Sequence, residues 1–380
     1  MLIEIRPGPL SNKGGELMLR AALGELAPPH TIAVEHWVAD YGTRARLGLY
    51  QKVWIKRLGR LAGVPAKLLP RRVMQMYGLV AESDIEAVVD ASGFAYSDQF
   101  GAERTQAMAR LARMWKRRGK PLILLPQAFG PFSGARMRRA ARQLIESADL
   151  VYARDRASLE HVRGLGVTGA DVRMAPDFTM ALPSKPEPAA GARTAYVVPN
   201  EKMVTHTPGR DHRSYVEFLA DVIRHLQDRG VPTAMLLHEP AADRKLGAQV
   251  RDLVGHSVPL IVEEDAMALR TLIGTASFVV GSRYHALVSA LAQGVPVLAA
   301  GWSHKYEELL RDFDCEDLLV APTVDRATLG SLLDRLIHEA HQPDVRDALG
   351  RRGDALRDQI AAMWSEVHGH LRTSQASARR

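Results

Sequence analysis

Short apolar runs alternate with turns and amphipathic helical stretches along almost the whole chain, and this alternation constrains the fold more than any other feature of the sequence. Parallel strands need crossover connections, usually helical, so the pattern argues for parallel sheets covered by helices, an α/β fold. Strands are expected at Met1–Ile5, Ile32–Trp37, Ala87–Asp90, Leu122–Leu125, Leu150–Ala153 and Val172–Ala175 in the first half. In the second half they are expected at Ala195–Val198, Thr233–Leu237, Leu260–Val262, Phe278–Val280 and Val295–Ala299. Most run apolar without alternation, as strands covered on both faces do.

At 380 residues the chain exceeds one comfortable core, so two domains are expected. The Pro-, Ala- and Gly-rich stretch Leu182–Arg193 reads as their linker, with the boundary near residue 187. Residues 1–186 then form an N-terminal α/β domain and residues 187–380 a C-terminal one that includes a long helix from Val345 to Leu371. The halves share a layout, which suggests two Rossmann-like domains facing across a cleft that holds the active site.

The net charge of +7 gathers in Lys56–Arg72 and Arg110–Lys120. Solvated helix faces, an anionic membrane surface and an anionic substrate are the readings open to these segments. Nucleic acid is disfavoured, because no aromatic residues interleave the basic ones in a known binding pattern. Cys315 is the single cysteine, which excludes an internal disulfide and suits a reducing compartment; it reads as a packing residue. No apolar run approaches the roughly 18 residues that span a bilayer. Glu4 and Arg6 interrupt the first apolar stretch, unlike a signal peptide, so a cytoplasmic location is expected. No metal is expected: His338 and His341 share a helical stretch but lack a third ligand. No G-x-S-x-G is present.

In open α/β sheets, ligands bind beyond the carboxyl ends of the strands, so polar residues there carry most weight. After the strand ending at Val280, Gly281 and Ser282 make a turn and a helix starts with Arg283, Tyr284 and His285 in its first turn. Cations oppose the dipole at a helix N-terminus; a bound anion would resolve the conflict, as would a local acid paired with Arg283. Lys305 lies 20 positions after His285, in the loop after the next strand, and reads as a partner in the same site or as a solvated lysine. In the first half Arg154 sits at a strand–helix junction, as an anion ligand or in an ion pair with Asp155 or another acid. Asp90, Ser92, Gln127 and Asp177 also follow strands, and the turn with Asn12 and Gly14 opens a helix, without the spacing of a phosphate-binding loop.

Taken in order, the stretches Ser11–Leu19 (SNKGGELML), Val88–Gly93 (VVDASG), Leu124–Phe132 (LLPQAFGPF), Val151–Ser158 (VYARDRAS), Ala175–Phe178 (APDF) and Gly281–Leu310 resemble the polysaccharide pyruvyl transferase family over nearly the whole chain. The Arg-x-His of Arg283 and His285 with Lys305 after it is the most specific part. The resemblance implies a fold similar to that of the GT-B glycosyltransferases. It also implies transfer of a pyruvyl group from phosphoenolpyruvate to a sugar of a polysaccharide or its precursor, as a cyclic ketal. By matching position, it makes Arg154, His285 and Lys305 catalytic. Gly281, Ser282, Arg283, Asn12, Gly14, Ser92, Gln127 and Asp177 become substrate-binding candidates. No cofactor is implied, phosphoenolpyruvate being the donor substrate. The N-terminal domain would face a saccharide or lipid-linked saccharide acceptor, and the C-terminal domain would hold the donor anion. A lipid-linked acceptor would give the basic segments a role at the inner face of a membrane. The loop Lys202–Arg213 matches nothing in the family pattern. The alternatives are a GT-B glycosyltransferase using a nucleotide sugar and a non-catalytic carbohydrate-binding protein. The paired acids expected for ribose binding are not evident, since Glu307 and Glu308 are adjacent.

Overall fold

A computed structural model describes residues 1–53, 69–183, 193–205, 212–301 and 303–378. The expected linker boundary near residue 187, most of the basic segment Lys56–Arg72 and much of the loop Lys202–Arg213 lie outside these residues.

Two compact units emerge, one of Met1–Phe178 with Gln359–Arg380, the other of Thr179–Asp358. The first carries β1 (Leu2–Pro7), β2 (Thr31–Glu35), β3 (Tyr50–Val53), β4 (Leu79–Ala81), β5 (Ala87–Ala91), β6 (Leu122–Gln127), β7 (Leu150–Ala153) and β8 (Val172–Met174). They pair in parallel in the order β4-β3-β2-β1-β5-β6-β7-β8. The second carries β9 (Ala195–Val198), β10 (Thr233–Leu237), β11 (Leu260–Val262), β12 (Val279–Gly281), β13 (Val297–Ala300) and β14 (Leu319–Val320). Its order is β11-β10-β9-β12-β13-β14, again parallel throughout. Each sheet reverses its winding once, between β1 and β5 in the first unit and between β9 and β12 in the second. At such a reversal neighbouring crossovers diverge and leave a crevice above the strand ends.

Core strands such as β5, β7 and β9 are buried at every position, which explains their unbroken apolar runs. Helix starts are set by short polar caps. Asn12, Asp155, Asp265 and Asp325 each accept a backbone N–H of the first turn, of Gly14, Ser158, Met267 with Ala268, and Thr328 respectively. One strand departs from the apolar rule: Glu4 in β1 is fully buried. Lys52 of β3 reaches it with Nζ at 2.5 and 2.6 Å, and Arg6 Nη1 lies 2.6 Å from it. A buried carboxylate is tolerable only with such partners.

Several boundaries differ from the sequence expectation. β2 stops at Glu35 rather than Trp37, β12 runs on to Gly281, and β13 begins at Val297 because Pro296 has no N–H to give the ladder. β3, β4 and β14 were not expected. The long final helix, Pro343–Ala378, is not confined to the second unit. Its last part belongs to the first, where Trp364 packs edge-on against Phe178 with ring centroids 5.9 Å apart. Glu366 there accepts the Tyr152 hydroxyl and pairs with Arg173 at 2.5 Å. No described helix is both long and apolar enough to cross a membrane.

Candidate active site

The winding reversal of the second unit places the ends of β9 and β12 side by side, with Val198 opposite Gly281. A side chain at Gly281 would put its Cβ 3.2 Å from Val198 Cβ, so the close strand approach favours glycine. Ser282 follows, fully buried, and serves mainly through its backbone. Its N–H donates to Val198 O at 3.2 Å. Its carbonyl accepts Asn200 Nδ2 at 2.5 Å and the Tyr306 hydroxyl at 2.8 Å. The turn is thus clamped from two neighbouring strand ends.

Arg283 is the N-cap of the helix Tyr284–Leu291, not part of its first turn, and makes no side-chain cap. Its guanidinium is buried and committed to acids. Nε donates to Asp243 Oδ2 at 3.0 Å, Nη2 donates to Asp243 Oδ1, and Nη1 lies 2.8 Å from Glu239 Oε2. Burial alone would disfavour its charge, but Asp243 and Glu239 outweigh burial and raise its pKa above the usual arginine value. The expectation that a bound anion relieves this cation is therefore corrected: local carboxylates do so. Asp243 also accepts the N–H groups of Glu201 and Glu239, at 3.0 and 3.2 Å, so the pair ties the ends of β9, β10 and β12 together.

His285 and Lys305 are different. The half-buried His285 stands in the first turn of its helix, its ring edge-on to Tyr284 at 5.3 Å. Lys305 is not in a loop; it lies in the first turn of the helix His304–Asp312, which follows β13. Its Nζ sits over the Tyr284 ring at 5.2 Å and the Tyr306 ring at 5.3 Å. The two rings are themselves edge-on at 6.0 Å. Two cationic or protonatable groups from adjacent strand ends thus converge on one aromatic pair, beside two helix N-termini. Aromatic faces stabilise the ammonium without neutralising it.

In the first unit, the strand-end residues form a chain along the carboxyl edge. Arg154 follows β7, is 5% exposed, and donates from Nη1 to Asp177 Oδ2 at 3.0 Å; its N–H donates to Gln127 O. Its acid is Asp177, beyond β8, while Asp155 caps the next helix. Ser92 Oγ donates to Gln127 Oε1 at 3.1 Å, and Ser92 N donates to Asp90 Oδ1 at 2.9 Å. Asn12 is spent on the N–H of Gly14 at 2.9 Å, which makes these two a helix start.

Sequence reasoning passed over Asn200, Glu239, Asp243, Tyr284 as a ring platform, and Tyr306. The strand-end rule, applied to β10, would have reached Glu239. No sequence signal marks Asp243 as the acid that meets Arg283.

A family model described as polysaccharide pyruvyl transferase matches residues 12–304. No curated protein matches the chain. Among solved structures, Anabaena Alr3699/HepE in complex with UDP-glucose is 14% identical with a TM-score of 0.59, covering 98% of this chain and 99% of that one. A glycosyltransferase from Rickettsia africae is 12% identical at 0.57, with 98% of each chain covered. Sucrose-phosphate synthase from Thermosynechococcus elongatus is 12% identical at 0.52, with both chains fully covered. At these identities the likeness is one of fold, the two-sheet α/β architecture of the GT-B glycosyltransferases. With its strand-end motifs and fold in agreement, and the match extending from the first helix cap to the Lys305 helix, the chain belongs to the polysaccharide pyruvyl transferase family.

Proposed function

We propose that the protein transfers a pyruvyl group from phosphoenolpyruvate to a saccharide, forming a cyclic ketal, with no cofactor. The observation that carries this reading is the convergence of His285 and Lys305 on Tyr284 at two helix N-termini. Phosphoenolpyruvate bears a carboxylate and a phosphate, and cations with free backbone N–H groups are what such a ligand needs.

In the reaction the methylene carbon gains a proton while a sugar hydroxyl adds to the neighbouring carbon and gives up its own. The C–O bond to phosphate then breaks, a second hydroxyl of the sugar closes the ring, and its proton leaves with the phosphate. His285 is assigned the proton delivery, since imidazole is the side chain whose ordinary range brackets neutrality. Lys305 is assigned an anionic group of the donor. Arg154, in the first unit, is assigned a substrate contact on the family resemblance alone. Arg283 acts as a positioning residue, holding the turn that presents His285. Gly281, Ser282, Asn12 and Gly14 support backbone geometry in the same way, and Ser92, Gln127 and Asp177 line up the first unit's edge. A lipid-linked acceptor at the inner membrane face would give the basic segments a use.

A nucleotide-sugar donor is the second reading, favoured by the fold shared with HepE, which was solved with UDP-glucose. Thermal shift and phosphate release with phosphoenolpyruvate, with and without a panel of glycans, separate the two. Stabilisation by phosphoenolpyruvate with acceptor-dependent phosphate release is the expected result. Stabilisation by UDP-glucose alone overturns it.

A further inference from the structure

The first unit has its own winding reversal, between β1 and β5, and an open cavity of about 460 Å³ stands there. Its polar wall comes from the two strand ends. Arg6 lines it from β1, with Asp90 of β5 and Ser92 just after it, and Tyr96 and Trp37 beside them. Met108 and Leu111 of the helix Gly101–Arg117 give the opposite wall an apolar surface.

The electrostatics narrow what this cavity takes. Arg6 Nη1 is held by Glu4 at 2.6 Å and Glu35 at 2.8 Å, and Lys52 balances the same two acids. Burial opposes the charge of Arg6, yet the two glutamates keep it fully protonated. Glu35 in turn is held well below the usual carboxylate range, because Arg6 and Lys52 outweigh its burial. Two acids against two bases leave the floor near neutral. Asp90 adds an acceptor, one oxygen bound to the Tyr96 hydroxyl and the other to Ser92 N. At the rim, the Arg104 guanidinium lies over the Phe100 ring at 5.5 Å. A strong anion would meet Asp90, and a cation would meet Arg6 and Arg104. A neutral ligand rich in hydroxyls satisfies both.

Two further features point the same way. Arg6 is only partly buried where it lines the cavity, and its contacts with Glu4 and Glu35 both run through Nη1, so the guanidinium meets the cavity with its charge already balanced. Trp37 is 40% exposed, yet its ring is anchored by donation from Nε1 to Glu35. An indole held in place with a face open to solvent offers a flat apolar surface to the C–H side of a sugar ring, while hydroxyls at the ring edge meet Arg6 and Asp90.

We infer that this cavity is a pyranose-binding site, with Trp37 as the stacking surface and Arg6 and Asp90 as the hydroxyl contacts. The inference rests on the proposed function, to which it adds the place where the saccharide acceptor is held. Binding of methyl pyranosides of glucose, galactose, mannose and N-acetylglucosamine tests it, by ligand-observed NMR on the full chain without phosphoenolpyruvate. At least one is expected to bind, with Trp37→Ala and Asp90→Asn each weakening it about tenfold, the effect of one lost contact of roughly 1.4 kcal/mol. Should Asp90→Asn fail to fold, Trp37→Ala at an exposed position carries the test, with thermal unfolding as the check on both. Binding by no pyranoside, binding indifferent to the variants, or displacement of the sugar from this cavity by inorganic phosphate overturns the assignment. Thermal stabilisation by phosphoenolpyruvate, read in the same variants, is expected to persist. Its loss in the wild type would remove the donor reading and leave the pyranoside result to judge this cavity separately.

Discussion

Arg283 and His285 stand two positions apart, yet their replacement is expected to fail in different ways. His285→Ala leaves the clamped turn intact and is expected to cut turnover by roughly 10²–10⁴-fold with little change in stability, read by phosphate release and thermal unfolding together. Turnover near that of the wild type would remove His285 from proton transfer. Arg283→Ala strands Asp243 as a buried acid and leaves the partly buried Glu239 beside it without its cation. It is expected to cost about 3–5 kcal/mol in folding, measured by urea unfolding, with activity lost as a consequence. Cys315 offers a third contrast. Burial, with Asp317, Glu316 and Asp314 nearby, pushes its thiol up to about 12. The native thiol is therefore expected to resist a thiol-disulfide probe at pH 8 and to react promptly in urea. Because the unfolded thiol ionises near its ordinary value while the folded one does not, its contribution to stability is intact below that value and is lost as pH rises from about 9 toward 12.

The two helices that deliver His285 and Lys305 depend on how closely their preceding turns can pack. A Cβ at Gly301 would lie 2.5 Å from Tyr306 Cγ. Gly301→Ala is expected to push Tyr306 off the Ser282 carbonyl and shift Lys305 with it, lowering kcat/KM more than stability; unchanged kinetics would uncouple Tyr306 from the site. Asp265→Ala, which removes a cap accepting two N–H groups, is expected to cost about 1 kcal/mol in urea unfolding and leave kinetics alone. The same elements show what was legible in the sequence. Strands covered on both faces announce themselves as apolar runs, and β7, β9 and β10 fall where that pattern puts them. β3 does not, because its Gln51 and Lys52 read as surface, and Lys52 is buried against Glu4 and Glu35 on other strands. The site divides along the same line. Looking at strand ends picks out Arg154, His285 and Lys305 as candidates, and the structure places each just beyond a strand of its own unit. It leaves Arg283 ambiguous, because the partner that settles its role is 40 residues away on the helix after β10.

At the scale of the molecule, the chain leaves the first unit at Phe178 and returns to it at Gln359. Trp364 is 3% exposed in the first unit, and Trp364→Ala is expected to cost about 3–5 kcal/mol there, read by urea unfolding and by the protection of Phe178 in hydrogen exchange. The second unit holds the His285 and Lys305 cluster and has no share in this contact, so thermal stabilisation by phosphoenolpyruvate is expected to survive at temperatures where the variant remains folded. The return of the final helix also sets an order of events during synthesis. Domains generally fold as they emerge, at about 5–20 residues per second. The first unit is made first but lacks its last packing partner until residues 179–358 have been translated. A nascent chain therefore carries Phe178 and the unfilled places of Trp364 and Glu366 for on the order of 10–40 s, the interval in which a chaperone that reads exposed apolar surface would find it.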